Sequence, residues 1–170
     1  AQSDGAGHQG NYHQGEGNGT MRLVVQRVTE AAVHIGGVCA GRTGRGLMIL
    51  IGIEEADTEE DALWLAKKAA DMRIFSDEEG KMNLSVKDIG GGALVVSQFT
   101  LHASTKKGNR PSFIRAARPN HAVPLYERFK EELAALLEGR VESGEFGADM
   151  QISLVNDGPV TIFMDSRNRE

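Results

Sequence analysis

The sequence predicts a single α/β domain in which a mixed, largely antiparallel sheet, or barrel-like sheets, has two long helices packed on it. The chain has 170 residues, and one domain usually has ~100–200. Its apolar fraction of 40% and charged fraction of 25% are typical of a globular protein. Six or seven β-prone segments and two helical segments follow one another as strands, helix, strand, helix and strands, which favours a mixed sheet over strict βα alternation.

Residues 1–20 differ in composition from the rest of the chain. They contain six glycines and three apolar residues, too few to offset the entropy lost on folding. We therefore expect a disordered leader or cloning remnant over residues 1–20, and a domain over residues 21–170.

The next segments predict strands. Residues 23–28 and 31–35 are two β-prone runs, and the Gly-Gly pair at 36–37 makes a hairpin turn into the next run. Residues 47–53 are almost continuously apolar, as in a strand that is buried on both faces.

Two segments have the apolar periodicity of helices. The first begins at Asp57 or Thr58, which can cap a helix, and runs to about Ile74. The second spans residues 120–139, with Pro124 in its first turn and a glycine at its end.

Three further strands are predicted in the rest of the chain. After the glycines at 90–92, residues 93–101 form another buried run. Residues 150–155 and 160–164 are two strands joined by Asn-Asp-Gly-Pro at 156–159, which local rules assign to a hairpin.

Charge is distributed unevenly along the chain, whose net charge is −5. Residues 90–125 contain no acid and five basic residues: Lys106, Lys107, Arg110, Arg115 and Arg118. A local basic stretch suits a phosphate contact better than a wrap along a duplex, although a solvated loop has the same composition.

The sequence offers no motif for a metal, a disulfide or a membrane span. Cys39 is the one cysteine, which excludes an internal disulfide and a multi-thiolate zinc site. His34, His102 and His121 include no pair at helical spacing, so we expect no metal and no cofactor. No apolar run approaches the ~20 residues of a membrane span, and the cytoplasm is the simplest compartment.

The run Ser-Gln-Phe-Thr-Leu-His at 97–102 lies at the end of a buried strand, where sites tend to form at a sheet rim. One hypothesis makes Ser97 or Thr100 a nucleophile with His102 as its base. No nucleophile-elbow glycines flank either hydroxyl. The alternative is that both hydroxyls only hydrogen-bond within the sheet.

The run Asn-Asp-Gly-Pro-Val-Thr at 156–161 is a second candidate site. Taken alone, it indicates a tight turn. Local rules also predict a trans Gly158–Pro159 bond, since only ~5–6% of such bonds in folded proteins are cis.

Four segments together resemble the D-aminoacyl-tRNA deacylases. Residues 97–101 and 156–161 match the two motifs of that family. Residues 21–28, Met-Arg-Leu-Val-Val-Gln-Arg-Val, and 107–113, Lys-Gly-Asn-Arg-Pro-Ser-Phe, are also similar. The similarity covers roughly residues 21–165 in order, and it implies the compact fold of that family.

The resemblance implies a homodimeric editing enzyme that cleaves the ester between a D-amino acid, or glycine, and the 3′-terminal adenosine of tRNA. It implies that Gly158 and Pro159 form a cis element that each subunit inserts into the pocket of its partner. There their carbonyl groups would face the substrate's α-carbon, so that an L side chain clashes and a D side chain points to solvent. Arg27 matches the arginine that braces this element, and Gln98 is expected to bind substrate.

The resemblance also implies catalysis by the substrate's own ribose 2′-hydroxyl. Backbone N–H groups around Phe99 and Thr100 would hold the scissile carbonyl, while Ser97 and Thr100 would line the pocket rather than attack. From charge and position, three residues are expected to meet phosphates near the acceptor end of the tRNA: Lys106, Lys107 and Arg110.

Two other functions stay open on the sequence. The chain could be an esterase for free esters that uses Ser97 or Thr100 with His102. It could also be a non-catalytic RNA-binding module, although only Phe99 and Phe113 lie in or beside the basic stretch and single-strand binding usually requires several aromatic side chains.

Overall fold

The computed structural model describes residues 20–170. The predicted leader therefore lies, except for Thr20, outside the described residues. The elements in chain order are β1 Arg22–Ile35, β2 Val38–Thr43, β3 Gly46–Gly52, α1 Glu59–Asp71, β4 Phe75–Ser76, β5 Met82–Leu84, β6 Gly92–Ser97, a 3₁₀ turn Phe99–His102, α2 Pro119–Leu136, β7 Val141–Ser143 and β8 Gln151–Asp165.

β1 is the centre of a six-stranded sheet. β8 pairs with nearly the whole length of β1, β3 pairs with the first half of β1, and β2 pairs with the second half of β1, all antiparallel. β6 lies parallel to β3, and β7 parallel to β6. The sheet is therefore mixed and largely antiparallel, as predicted.

The sheet curls until β2 approaches β7. The backbone N–H of Arg42 donates to the Glu142 carboxylate at 3.3 Å. A Cβ atom on Gly41 would lie 2.8 Å from the carbonyl oxygen of Ser143, so glycine permits this approach. The result is a nearly closed, barrel-like sheet.

Apolar side chains pack on both faces of this sheet. One cluster lies between the sheet and the two helices, and it includes Leu47 and Ile49 of β3 with Phe129 of α2. A second cluster on the other face includes Met48 of β3 and Leu94 of β6. Alternate residues of β3 thus enter different clusters, which confirms the strand buried on both faces.

α1 begins close to its predicted start. The N–H of Thr58 donates to the Asp61 carboxylate at 2.8 Å, a capping arrangement that satisfies a donor at the helix start. The helix ends at Asp71, before the predicted end at Ile74. The chain becomes extended at Met72 and leads into the short hairpin of β4 and β5.

α2 begins with Pro119, so the prediction that Pro124 lies in the first turn is wrong. A proline at the first helical position is tolerated because its missing N–H would have no helical partner. At the other end, the N–H of Gly139 donates to the carbonyl of Ala134 at 2.8 Å, with a φ of +85° at Gly139. This glycine ends the helix as predicted.

The predicted hairpin at residues 156–159 is wrong. Both halves of β8 pair with β1 in the same antiparallel direction, so the chain does not reverse. The β1 partners of Asn156 and Thr161 are Val28 and Gln26. Residues 157–160 therefore bulge from a continuous strand, opposite the one β1 residue that lies between these partners.

The side chain of Asn156 holds both ends of this bulge. Its Oδ1 accepts the N–H of Val160 at 2.8 Å, and its Nδ2 donates to the Thr161 hydroxyl at 3.0 Å. The sequence therefore identified the turn-forming residues correctly. It did not show whether the chain reverses after them, because that depends on pairing with β1.

Asp57 is a buried carboxyl between β3 and α1. Its Oδ2 accepts the N–H of Glu54 at 2.7 Å. Desolvation raises the pKa of Asp57 from 3.8 to about 7, outweighing the lowering by the Glu54 hydrogen bond. Because the folded pKa exceeds the unfolded one, the stability that the protonated carboxyl contributes is fully present below about pH 4 and is lost as the pH rises to about 7.

We expect Asp57→Asn to raise the free energy of unfolding above pH 7, by at most about 4 kcal/mol. Asparagine keeps an acceptor for the Glu54 N–H and carries no charge. Urea unfolding at several pH values measures the effect. The comparison variant Asp77→Asn, at a half-buried position, should instead lower stability at neutral pH, because hydrogen bonds from Asn83 and Lys81 hold the pKa of Asp77 below its usual value. An unchanged pH dependence in Asp57→Asn would contradict the prediction.

Candidate active site

The run at residues 97–102 lies where two parallel strands end side by side. β3 ends at Gly52 and β6 at Ser97, and the N–H of Gln98 donates to the carbonyl of Ile51 at 2.8 Å. The chain then enters the 3₁₀ turn. A Cβ atom on Gly52 would lie 2.9 Å from Cβ of Leu101, so glycine lets this turn pack against the end of β3.

The first two N–H groups of the 3₁₀ turn are free. Within residues 20–170, neither the N–H of Phe99 nor that of Thr100 donates a hydrogen bond, whereas the N–H of Leu101 bonds to Gln98. The first donors of any helical turn lack a partner within the turn. Two backbone donors are thus available beside each other.

Three residues of the motif line a pocket of about 250 Å³: Ser97, Gln98 and Phe99. The opposite wall comes from the segment between β7 and β8, with Phe146 and Met150. Sequence reasoning missed this wall, because the segment carries no recognisable motif and approaches the pocket only through the β6–β7 pairing. The pocket has an apolar lining beside the free backbone donors.

The hydroxyl of Thr100 accepts a hydrogen bond from the side-chain amide of Gln98. Thr100 does not line the pocket, although Gln98 does. This pair therefore ties the side chains of the motif to each other, and no basic group in the described part of the chain hydrogen-bonds to the hydroxyl.

His102 is fully buried and faces a carboxylate. Its Nδ1 lies 2.7 Å from Oε1 of Glu54, and Nη2 of Arg115 lies 2.7 Å from the same oxygen. Desolvation lowers the pKa of His102, against the raising effect of Glu54. Buried against Glu54 in this way, the imidazole braces the 3₁₀ turn, and the geometry argues against the hypothesis that His102 is the base for Ser97 or Thr100.

Gly158 and Pro159 are exposed on the bulge of β8. The peptide bond between them is cis, as the resemblance implied and local rules did not. Nε of Arg27 donates to the carbonyl of Asp157 at 3.0 Å, and its Nη1 donates to the carbonyl of Ile74 at 2.7 Å. Arg27 thus connects the bulge to the chain that follows α1.

Within one chain, this bulge and the pocket lie far apart. Ser97 pairs with Ile51, which pairs with Leu23, whereas the bulge lies opposite Arg27. The two sites are therefore separated by four residues along β1, about 14 Å, and by three strand spacings across the sheet. Neither residue of the Gly158–Pro159 pair lines the pocket.

The predicted phosphate-binding residues are exposed on the loop of residues 103–118, which directly follows the 3₁₀ turn: Lys106, Lys107 and Arg110. The backbones of Ser104 and Ser112 exchange two hydrogen bonds, at 2.7 and 2.8 Å. These bonds close the outer part of the loop, so its basic side chains lie on a defined structure that directly follows the 3₁₀ turn.

Residues 20–170 contain no group of three or more His, Cys, Asp or Glu side chains placed to hold a metal ion. Over the same residues, neither helix has the length and apolar character needed to cross a membrane.

Comparison with known proteins gives a consistent result. Residues 24–165 match the family model described as D-Tyr-tRNA(Tyr) deacylase. A D-aminoacyl-tRNA deacylase of Akkermansia muciniphila is 80% identical over 150 residues, covering 88% of this chain and 100% of that protein.

Two solved structures are similar in fold. One is titled c-Myc DNA Unwinding Element Binding Protein, with a TM-score of 0.80 and 41% identity over 84% of this chain and 97% of that one. The other is titled as a probable eukaryotic D-amino acid tRNA deacylase, with a TM-score of 0.74 and 20% identity over 86% of this chain and 99% of that one, which supports the fold alone. From the family model and the Akkermansia relative, the chain belongs to the D-aminoacyl-tRNA deacylases, a family of hydrolases that act on ester bonds.

Proposed function

We propose that this chain hydrolyses the ester that joins a D-amino acid, or glycine, to the 3′-terminal adenosine of tRNA. The observation that carries the proposal is the pair of free N–H groups at Phe99 and Thr100, at the rim of a pocket with an apolar lining. Such donors stabilise the oxyanion that forms when an ester carbonyl is attacked, and one good donor contributes about 2.7–4 kcal/mol. An aminoacyl ester is activated, so donors and orientation suffice without a charged nucleophile.

Water is the nucleophile in this hydrolysis, and the group that assists its attack comes from the substrate. Within residues 20–170, no base hydrogen-bonds to the Ser97 or Thr100 hydroxyl, and His102 is directed at Glu54. We infer that the 2′-hydroxyl of the terminal ribose assists the reaction. Ser97 and Gln98 then shape the pocket, and Thr100 holds Gln98 in place.

Chiral selection requires a second copy of the chain. The Gly158–Pro159 bulge is exposed and does not line the pocket of its own subunit, so in the proposed filter it acts in the pocket of a partner. Arg27 holds the bulge in place through its bond to the Asp157 carbonyl. Inserted into the partner's pocket, the backbone carbonyls would exclude an L side chain and tolerate a D side chain or glycine.

The outer edge of β8 supports a homodimer. Within residues 20–170 this long strand pairs only with β1, which leaves its other edge open. Val155 and Phe163 are 49% and 59% exposed on it. Open strand edges with apolar side chains are usually covered by another chain.

The proposed functional unit spans residues 21–170, and the basic loop contributes phosphate contacts to the acceptor end. Three exposed residues of the loop that follows the 3₁₀ turn would meet the single-stranded end of a charged tRNA: Lys106, Lys107 and Arg110. No metal or cofactor takes part in the proposed reaction. A charged tRNA is a substrate found in the cytoplasm.

The test is deacylation of one tRNA carrying the D or the L form of the same amino acid. We expect rapid release of the D form while the L form is spared. Equal cleavage of both forms would point to an esterase without the proposed filter. If a folded protein cleaves neither form and binds uncharged tRNA more tightly than charged tRNA, the non-catalytic binding module is correct instead.

A further inference from the structure

An exposed aromatic pair stands at the rim of the pocket. The rings of Phe99 and Phe113 meet edge to face, with centroids 5.2 Å apart and planes at 82°. Phe99 is 57% exposed although it lines the pocket. One ring therefore supports the other, and an aromatic face stays open to solvent.

The loop that carries Phe113 is anchored on the site. The N–H of Ala116 donates to the carbonyl of Phe113 at 3.0 Å, and the N–H of Ala117 donates to the carbonyl of Ile53 at 2.8 Å. Arg115 follows Phe113 by two residues, and its Nη2 lies 2.7 Å from Oε1 of the buried Glu54. Phe113 is thus fixed to the end of β3, so the aromatic pair is preorganised.

The surroundings of the pair attract a polyanion. Lys106, Lys107 and Arg110 are exposed on the same loop, and within residues 20–170 none of them makes an ion pair. No acidic residue occurs from 90 to 125. Aromatic faces next to unpaired cations are typical of surfaces that bind single-stranded nucleic acid.

We propose that Phe99 and Phe113 form a stacking platform for the nucleotide that precedes the terminal adenosine of the tRNA. The inference rests on the proposed function, because it requires the scissile carbonyl at the Phe99 N–H. The terminal adenosine then occupies the pocket beside that donor, and the preceding nucleotide must leave across the rim, where the open ring lies. Its phosphate enters the field of the three basic side chains.

The test compares three D-tyrosyl esters: those of full tRNA, of the dinucleotide cytidylyl-adenosine and of adenosine alone. With the wild type, the added cytidine should lower KM by about tenfold relative to adenosine, as expected for one stacked base. Phe113→Ala should remove this gain and raise KM for tRNA by a similar factor. Cleavage of the adenosine ester should stay unchanged, because Phe113 does not line the pocket.

Two further variants separate stacking from structure. Phe113→Tyr keeps a ring and should restore the gain, whereas Phe113→Leu keeps apolar packing and should not. Leu is also the fallback if the alanine variant does not fold. Ile114→Ala, at a neighbouring side chain that is 88% exposed, controls for loss of apolar surface and should have little effect.

Three outcomes would overturn the platform. Equal losses on all three esters would mean that Phe113 only shapes the pocket. No loss on any ester would mean that the ring contacts no nucleotide. If light scattering shows that the Phe113→Ala variant is a monomer, the aromatic pair serves contact between subunits instead. A wild type that cleaves none of the three esters would contradict the proposed function itself.

Discussion

Removing the 2′-hydroxyl from the terminal ribose should slow cleavage of D-aminoacyl-tRNA by about 100-fold or more, the range expected when proton transfer is lost. The Thr100→Ala enzyme should lose less than about tenfold on the normal substrate. The reason is that the Thr100 hydroxyl accepts a bond from Gln98 and, among residues 20–170, none from a base, so it holds Gln98 in place without attacking. Single-turnover deacylation of tRNA ending in adenosine or 2′-deoxyadenosine, each charged at the 3′-hydroxyl, measures both effects.

The 2′-deoxy substrate and the Thr100→Ala variant together distinguish the ribose hydroxyl from the threonine as the catalytic group. If Thr100→Ala removes all activity while folding and tRNA binding persist, and Thr100→Ser restores it, the threonine is a nucleophile. Full cleavage of the 2′-deoxy substrate by the wild type would exclude the ribose hydroxyl. His102→Ala should affect stability more than the chemical step, because its imidazole is buried against Glu54 and not at the pocket.

A catalytically inactive subunit should restore chiral selection to a subunit that has lost it. Gly158 has a φ of +130°, and a Cβ atom there would lie 2.9 Å from Nη2 of Arg27 and from Cγ2 of Val160. We therefore expect Gly158→Ala to distort the bulge and to cleave both D and L substrates. Phe99→Pro should be inactive, since it removes a backbone donor worth about 10²–10³ in rate, while proline is well tolerated at the first position of a helical turn.

The two variants are mixed under conditions that exchange subunits. With Phe99→Pro in about tenfold excess, mass action places most Gly158→Ala subunits in mixed dimers. In a mixed dimer, the intact pocket faces the intact bulge of the inactive partner, so cleavage of the L substrate should fall and cleavage of the D substrate should persist. L cleavage that does not respond to the inactive subunit would show that the bulge does not act across subunits. Gly80→Ala, at another exposed glycine with positive φ that does not line the pocket, is the matched backbone control.

Local sequence rules predicted the elements but not every connection between them. The apolar run in β3, the cap at Thr58 and the helix end at Gly139 depend on neighbours in sequence, and all three were predicted. The continuity of β8 depends on a partner strand more than a hundred residues away, so the turn signal at Gly158 gave the wrong topology. β7 was missed because only three residues pair, and nothing in their pattern marks a strand.

The candidate site likewise has features that local sequence predicted and features that depend on distant contacts. The resemblance identified the segments around Ser97 and Gly158, and residue spacing alone did not distinguish a nucleophile from a hydrogen-bonded hydroxyl. The pairing of His102 with Glu54 could not be predicted either, because the two are brought together only by the parallel ends of β3 and β6. The pocket wall at Phe146 could not be predicted for the same reason, because its position depends on the pairing of β7 with β6.

The free N–H groups at the start of the 3₁₀ turn have a consequence for evolution. Every amino acid except proline supplies a backbone N–H, so substitution at these two positions changes the side chain without deleting the donor. Under the proposed mechanism, the reaction depends on the path of the main chain, which is set by many packed residues. Such an enzyme is robust to mutation at its centre and sensitive at the supports, such as Gly52 under the turn, where a single methyl group would displace the chain that carries both donors.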